Sequence, residues 1–209
     1  MVELGAGTGK VTSERVARVL RVVAVEPVAR MAAELSARLP AVQVLVARAE
    51  SNGLPGGQAE AVLAAQSLHR FAARDAVQEM RRLPRPRGWL VLLWNLPEPS
   101  HPVGQAMAEL IEPLRADAPT DEGDRWCSAL DLGSEFGTVI HCRFGHTVTA
   151  SREGLDDRVP SIRCVACQRE EVRRRIQAEL DCVWSRQAPG PGGDRLPYQT
   201  DMCLARAGA

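Results

Sequence analysis

The sequence contains almost no lysine and no excess of charge of either sign. Lys10 is its single lysine, and the bias to arginine, with abundant Ala, Gly and Pro, indicates GC-rich coding rather than a function. Acidic and basic residues are balanced at 26 each. This balance argues against a basic nucleic-acid-binding surface and against a polyanionic tail, so we expect small or neutral partners and no nucleic acid.

Long hydrophobic runs are also missing. No uninterrupted apolar stretch approaches the roughly 20 residues needed to span a bilayer, and the chain does not open with a signal-peptide pattern. We therefore expect a soluble, cytoplasmic protein that has no membrane partner. Its 209 residues are enough for a single domain over 1–209 that needs no disulfide or metal, and we expect a monomer or a homodimer.

The six cysteines lack the paired spacing of a disulfide framework or of a closed zinc site. Cys164 and Cys167 have metal or redox spacing, and His141 and His146 lie upstream of them. A zinc site would need a second tight ligand pair, whereas these histidines are separated along a predicted strand. We expect reduced thiols and no metal. The cysteines are Cys127, Cys142, Cys164, Cys167, Cys182 and Cys203.

The chain does contain a glycine-rich segment at its start. A short apolar run reaches Leu4, then Gly5, Gly7 and Gly9 occupy alternate positions, and a helical pattern begins at Val11. Glycines let the backbone turn sharply and let a ligand approach main-chain amides that a β-carbon would screen. A strand, glycine loop and helix in this order are typical of nucleotide-like ligand sites, and a plain turn is the alternative.

The spacing of the glycines separates three kinds of nucleotide-binding loop. A P-loop requires Gly where Leu4 stands and Ser or Thr where Val11 follows Lys10. A Rossmann dinucleotide fingerprint requires glycine at the position of Lys10, which makes a nicotinamide-dependent oxidoreductase the third choice. An acidic residue followed by alternate glycines, from Glu3 to Gly9, resembles the first motif of class I S-adenosylmethionine-dependent methyltransferases.

Strand and helix patterns alternate along the chain, which predicts an α/β fold with a Rossmann-like, doubly wound sheet and right-handed crossovers. The segment from Pro84 to Gly88 is expected to end the third helix before the fifth strand begins. Apolar runs predict strands at the start of the chain and at 22–25, 42–47, 60–65, 89–95, 137–144 and 196–206. Helical patterns predict helices at 11–20, 28–39, 72–83, 103–114 and, interrupted by Pro160, at 151–186.

Glu26 stands directly after the predicted strand at 22–25. A carboxylate at the carboxyl end of a buried strand is poorly placed for a core but well placed for a ligand crevice. Its distance in sequence from Gly9 suits a strand-helix-strand unit, so its carboxylate is positioned to accept hydrogen bonds from both hydroxyls of a ribose. Capping the helix at 28–39 is a second role, compatible with the first.

Further motifs follow the glycine loop in order, and together they resemble the methyltransferase type 11 family, which includes trans-aconitate methyltransferase-like proteins. The resemblance covers about 1–95 and, more weakly, segments of the tail. It implies a seven-stranded, mostly parallel sheet with an antiparallel last strand, a cofactor-binding core at 1–95, and acceptor-side helices with the last two strands at 96–209. Family members begin a few tens of residues earlier, so an amino-terminal segment is expected to be missing. The motifs are Glu3 to Gly9, Val25-Glu26-Pro27 with Met31, Ala49-Glu50 with Leu54-Pro55, Gln66 and His69 with Phe71, Leu83 with Arg85 to Gly88, and Leu93-Trp94-Asn95.

The resemblance implies S-adenosylmethionine as cofactor and methyl transfer to a small-molecule carboxylate, hydroxyl or amine. Glu3 and the glycine loop would contact the methionine part, Glu26 the ribose, and Ala49 with Glu50 the adenine. Gln66 would end the fourth strand beside the sulfonium. The implied cofactor-binding set is Glu3, Gly5, Ala6, Gly7, Gly9, Glu26, Pro27, Ala49, Glu50 and Gln66.

The resemblance also places His69, Trp94 and Asn95 toward the methyl acceptor. His69 is the candidate base where a hydroxyl or amine must lose a proton, and a surface or helix-start histidine is the alternative. Core packing is the alternative for Trp94. For the whole chain, the alternative is a catalytically inactive methyltransferase-like binding or scaffold domain, suggested by the missing amino-terminal segment and the arginine-rich helical tail.

Overall fold

A computed structural model of the chain describes residues 1–18, 21–68, 71, 73–115, 136, 138–159, 165, 168–187 and 193–208. The strands among these residues are β1 (Val2–Leu4), β2 (Val23–Val25), β3 (Gln43–Leu45), β4 (Ala59–Ala65), β5 (Pro84–Pro97), β6 (Val139–Ala150) and β7 (Asp194–Arg206). The helices are α1 (Lys10–Val16), α2 (Ala29–Arg38), α3 (Ala73–Arg82), α4 (Pro102–Ile111), α5 (Arg152–Arg158) and α6 (Glu170–Arg186), and a 3-10 turn spans Glu112–Arg115.

The strands form a seven-stranded sheet in the order β3-β2-β1-β4-β5-β7-β6. β1 pairs in parallel with β2 and β4, β2 with β3, and β4 with β5. β7 runs antiparallel to β5, because the Ala207 N–H donates to the Gly88 carbonyl at one end and the Glu98 N–H to the Pro197 carbonyl at the other, each at 2.9 Å. The predicted fold class is confirmed.

The strand order reverses beside β1, since β2 and β3 lie on one side of it and β4 and β5 on the other. In open parallel sheets, ligands bind at the carboxyl ends of the strands beside such a reversal. The carboxyl end of β1 is Leu4, which leads directly into Gly5. The topology therefore places the glycine loop at the position where this architecture holds its ligands.

The prediction that the segment from Pro84 to Gly88 lies before the fifth strand is wrong, because this segment is the first part of β5. The pairing of β4 with β5 changes register between Ala59 and Ala61, and Arg87 has a left-handed φ of 62°. Proline is tolerated at the first residue of a strand and at bulges, where no ladder hydrogen bond from its nitrogen is needed. The irregular register thus accommodates residues that would break a regular strand.

The described residues fall into two compact units. The first comprises the described residues of 1–94, 119–142 and 201–209, and the second those of 95–118 and 143–200. No described helix has the length and apolar character needed to cross a membrane. Cys142, Cys182 and Cys203 are free thiols, and the other three cysteines lie outside the described residues.

The core of the first unit is built from the parallel strands and from one face of each helix beside them. The short runs of β1 and β2 are almost entirely buried, as expected for strands covered on both faces. On α3, Asp75 lies in the first turn and Arg81 and Arg82 in the last, a charge order that complements the helix dipole. The fully buried residues include Leu4, Val25, Leu35, Val62, Met80, Leu90 and Leu92.

The core of the second unit joins helices α4, α5 and α6 to residues of β7. On α6, Ile176, Leu180 and Trp184 are buried at intervals of four residues, so they form one apolar stripe along the helix. The same cluster contains Val103, Met107 and Ile111 of α4, Leu155 of α5, and Leu196 and Tyr198 of β7.

Candidate functional site

The glycine loop turns back on itself immediately after β1. Gly5, Gly7 and Gly9 have left-handed φ values of 70°, 58° and 80°. The N–H groups of Gly5 and Ala6 both donate to the Val25 carbonyl, at 2.8 and 3.1 Å, which ties the loop to the end of β2. Gly9 is the N-cap of α1. The loop therefore connects β1 to α1 through backbone conformations that favour glycine.

The three glycines differ in what surrounds them. A Cβ on Gly5 would lie 2.6 Å from the Ser67 Cβ, and one on Gly9 would lie 2.7 Å from the Leu35 Cγ. A Cβ on Gly7 would meet nothing within 4 Å. Gly5 and Gly9 are therefore required by packing within the protein, whereas Gly7 borders open space that a ligand can occupy.

The variant Gly9→Ala should lose more stability than Gly7→Ala. The left-handed backbone alone costs about 1–2 kcal/mol in each variant, and at position 9 the new methyl must also displace Leu35. Urea titrations of the two variants against the native chain measure the difference. Equal free energies of unfolding would show that the contact with Leu35 does not constrain this position.

Glu26 is 1% exposed and uses both carboxylate oxygens. Oε2 accepts a hydrogen bond from the Gly7 N–H at 2.8 Å, and Oε1 accepts one from the Val28 N–H at 2.9 Å. Val28 is the N-cap of α2 and makes no side-chain cap bond of its own. The Glu26 carboxylate thus connects the open part of the glycine loop to the start of α2.

Glu3 is a buried carboxyl group on β1, 2% exposed, that faces the first helix. Its Oε2 accepts a hydrogen bond from the Thr12 hydroxyl at 2.7 Å. Burial raises the pKa of Glu3 to about 7, against the opposing effects of the Thr12 hydrogen bond and the Arg15 charge. The carboxyl group therefore changes its charge near neutral pH.

Ser67 is hydrogen-bonded to the end of β1, where the glycine loop begins. Its side chain is 1% exposed, and its hydroxyl donates to the Leu4 carbonyl at 2.8 Å. The preceding residue, Gln66, follows the carboxyl end of β4 with a left-handed φ of 54°, and its N–H donates to the Leu93 carbonyl at 3.0 Å. Non-glycine residues with a left-handed backbone are enriched at functional sites, which makes Gln66 a candidate site residue.

The turn after β3 is organised by Asn52, which the sequence pattern does not single out. Its Nδ2 donates to the Ala49 carbonyl at 3.0 Å and to Glu79 Oε2 at 2.8 Å, while its Oδ1 accepts from the Leu54 N–H. Ala49 is buried, and Glu50 forms an ion pair with Arg48 at 3.3 Å. Ala49 and Glu50, predicted to meet the cofactor, are thus held in a fixed turn.

Two exposed valines lie after the ends of β2 and β3, where Val25 and Leu45 are paired in the sheet. Val28 is 47% exposed and Val46 is 62% exposed. Pro27, between Glu26 and Val28, is exposed as well. These strand ends therefore present apolar surface beside a buried carboxylate, a combination suited to a ligand with a flat apolar part.

Of the three residues predicted to face the methyl acceptor, Trp94 and Asn95 lie within the described part of the chain. Trp94 is 1% exposed, a burial that suits the packing alternative. Asn95 belongs to the second unit, where its Oδ1 accepts a hydrogen bond from the Thr200 hydroxyl at 3.1 Å. His69 lies outside the described residues.

Comparisons with known proteins show which family and fold the chain shares. A family model described as a methyltransferase domain matches residues 2–92. An uncharacterized methyltransferase of Mycobacterium tuberculosis is 43% identical over 209 residues, which cover 98% of this chain and 81% of the relative.

Solved structures share the fold at low sequence identity. The YcgJ protein of Bacillus subtilis aligns with a TM-score of 0.65 at 15% identity, over 100% of this chain and 91% of its own. A phosphoethanolamine N-methyltransferase of Haemonchus contortus, in complex with phosphomonomethylethanolamine and S-adenosylhomocysteine, aligns with a TM-score of 0.61 at 12% identity, over 100% of this chain and 48% of its own. At such identities the two structures show a common fold.

Proposed function

This chain belongs to the family of methyltransferase domains, and on that basis we propose that it binds S-adenosylmethionine at the glycine loop and transfers its methyl group to a small-molecule acceptor. The observation that carries the proposal is the open space at Gly7 beside the Glu26 carboxylate, at the carboxyl ends of β1 and β2. The Haemonchus enzyme of the same fold binds S-adenosylhomocysteine, which is what remains of S-adenosylmethionine after its methyl group is transferred.

The Glu26 carboxylate has the hydrogen-bonding capacity that a ribose requires. A carboxylate offers about four acceptor positions. In the structure each oxygen accepts one backbone N–H, from Gly7 and from Val28, so each oxygen keeps a further acceptor position. Two remaining positions on neighbouring oxygens match the two hydroxyls of the ribose, and the backbone bonds already hold the carboxylate in place.

With the ribose at Glu26, the positions of the other parts of the cofactor can be proposed. The methionine part would lie along the backbone beside Gly7, where no side chain intervenes. The exposed side chains of Val28 and Val46 would contact the faces of the adenine, and Ala49 with Glu50 would meet its edge. Gln66, in its strained conformation, would lie beside the sulfonium.

The chemistry asks little of the protein beyond orientation. When bound, the cofactor would supply a methyl carbon activated by positive sulfur, to which an acceptor lone pair would form a bond as the carbon–sulfur bond breaks. The positive sulfur leaves as a neutral thioether and needs no protonation, so alignment and exclusion of water are the main contributions. A carboxylate acceptor loses no proton, whereas a hydroxyl or amine needs a base, for which His69 remains the candidate.

The proposal is tested by titration calorimetry with S-adenosylmethionine, S-adenosylhomocysteine and, as a matched control, NADH. We expect binding of the two sulfur nucleosides and none of NADH. Transfer of a labelled methyl group to pools of small acids, including trans-aconitate, and of alcohols and amines then identifies the acceptor class. A folded protein that binds neither sulfur nucleoside would refute the proposal, and binding without transfer to any pool would favour a catalytically inactive binding domain.

A further inference from the structure

Glu3 and Thr12 lie on either side of the glycine loop in the sequence, and their side chains are joined by a hydrogen bond. Glu3 precedes Gly5 on β1, Thr12 follows Gly9 on α1, and one 2.7 Å hydrogen bond joins their side chains. Both residues are buried, with exposed fractions of 2% and 0%. Burying a hydroxyl costs free energy unless it is hydrogen-bonded, and the Thr12 hydroxyl finds its partner in the Glu3 carboxylate.

We propose that Thr12 is a positioning residue of the cofactor site, whose hydroxyl holds the Glu3 carboxylate in place on the strand that leads into the glycine loop. This inference rests on the proposed function, because it assigns the carboxylate to the positively charged methionine end of the cofactor. Thr12 would act through Glu3, without touching the cofactor.

The surroundings of Glu3 make this hydrogen bond important. On the neighbouring strands its partners in register are Ala24 of β2 and Leu63 of β4, which offer no hydrogen-bonding side chain. Among the described residues, the interactions that favour the charged carboxylate come from α1, namely the Thr12 hydroxyl and the Arg15 charge. Burial opposes them, so the pKa of Glu3 is raised to about 7 in spite of both.

The consequence is a cofactor affinity that depends on pH. S-adenosylmethionine carries a sulfonium and an ammonium group, which an ionised carboxylate attracts and a protonated one does not. Because the pKa of Glu3 lies at about 7, the affinity should rise as the pH increases through that value. Loss of the Thr12 hydroxyl removes a hydrogen bond that favours the ionised Glu3 carboxylate, so the pKa of Glu3 rises further. The increase in affinity then moves to higher pH.

The matched variants are Thr12→Val, which keeps the shape and loses the hydroxyl, and Thr12→Ser, which keeps the hydroxyl. Calorimetry with S-adenosylmethionine between pH 5.5 and 8.5 gives the affinity profile of each. We expect Thr12→Val to shift the affinity profile to higher pH by about one unit, which corresponds to the free energy of about one hydrogen bond. Thr12→Ser should restore the native profile. A purely structural role would lower stability and leave the profile where it is.

A second measurement separates this inference from the proposed function. Carbon-13 NMR follows the Glu3 carboxyl titration in the protein without cofactor, with Glu3→Gln used to identify its signal. A native chain that binds no S-adenosylmethionine refutes the proposed function. If the native chain binds and Thr12→Val has the same affinity profile, the role of Thr12 is overturned, whether or not the Glu3 titration moves. If Thr12→Val does not fold, Thr12→Ala removes the same donor and is judged by the same two outcomes.

Discussion

The variant Glu3→Gln should be more stable than the native chain at pH 8, by about 3 kcal/mol, and should bind S-adenosylmethionine more weakly. The pKa of this carboxyl is about 7 in the folded chain and near its ordinary value of 4.5 in the unfolded chain. Between these values the folded state binds more protons, so the native chain loses stability as the pH rises through this interval. Glutamine stays neutral at every pH and still offers Thr12 an acceptor.

Urea titrations at pH 5 and pH 8 check this expectation. The gain in free energy of unfolding from Glu3→Gln should be small at pH 5 and large at pH 8. Glu34→Gln on α2 serves as the control, because it removes one negative charge at an exposed position and leaves the buried carboxyl of Glu3 in place. A gain that is the same at both pH values would contradict the assignment of the titrating group to Glu3.

The variant Glu26→Ala should lose both cofactor affinity and stability. Each hydrogen bond between its carboxylate and a ribose hydroxyl contributes about 1.5–3 kcal/mol, so we expect affinity to fall at least tenfold. The same change leaves the N–H groups of Gly7 and Val28 without their acceptor, which should lower the free energy of unfolding by about 1–3 kcal/mol.

Calorimetry and urea titration on the same variant measure both effects. Glu34→Ala is the matched control, since it shortens an exposed glutamate on the helix that follows Glu26. A destabilised Glu26→Ala protein with native affinity would reduce Glu26 to a structural residue. A stable protein with weakened affinity would show instead that its backbone hydrogen bonds are dispensable.

The fold was predictable wherever local pattern decides structure. The continuous apolar run that ends at Val25 predicted a buried parallel strand, and β2 occupies it. The segment from Pro84 to Gly88 was mispredicted because prolines and glycine are local breaking signals, whereas its strand conformation depends on β4 and on β7. The hydrogen bond from Ala207 to Gly88 comes from the far end of the chain, which a local pattern does not register.

Some residues of the candidate site were likewise predicted from the sequence pattern, and others were not. Gly7 was predicted as a site residue from the spacing of the glycines and Glu26 from its place after an apolar strand, and the structure joins them by a hydrogen bond. Thr12 and Ser67 were not identified, because their importance lies in burial against Glu3 and Leu4, partners known only after folding. The helical pattern of the sequence begins at Val11, yet the buried residue on α1 is the polar Thr12.

The most direct test of the central claim is a crystal structure of the protein with S-adenosylhomocysteine. We expect both ribose hydroxyls within hydrogen-bonding distance of the Glu26 carboxylate, the methionine part beside Gly7, and the adenine against Val28 and Val46. A nucleoside bound elsewhere, or one whose ribose makes no contact with Glu26, would contradict the account.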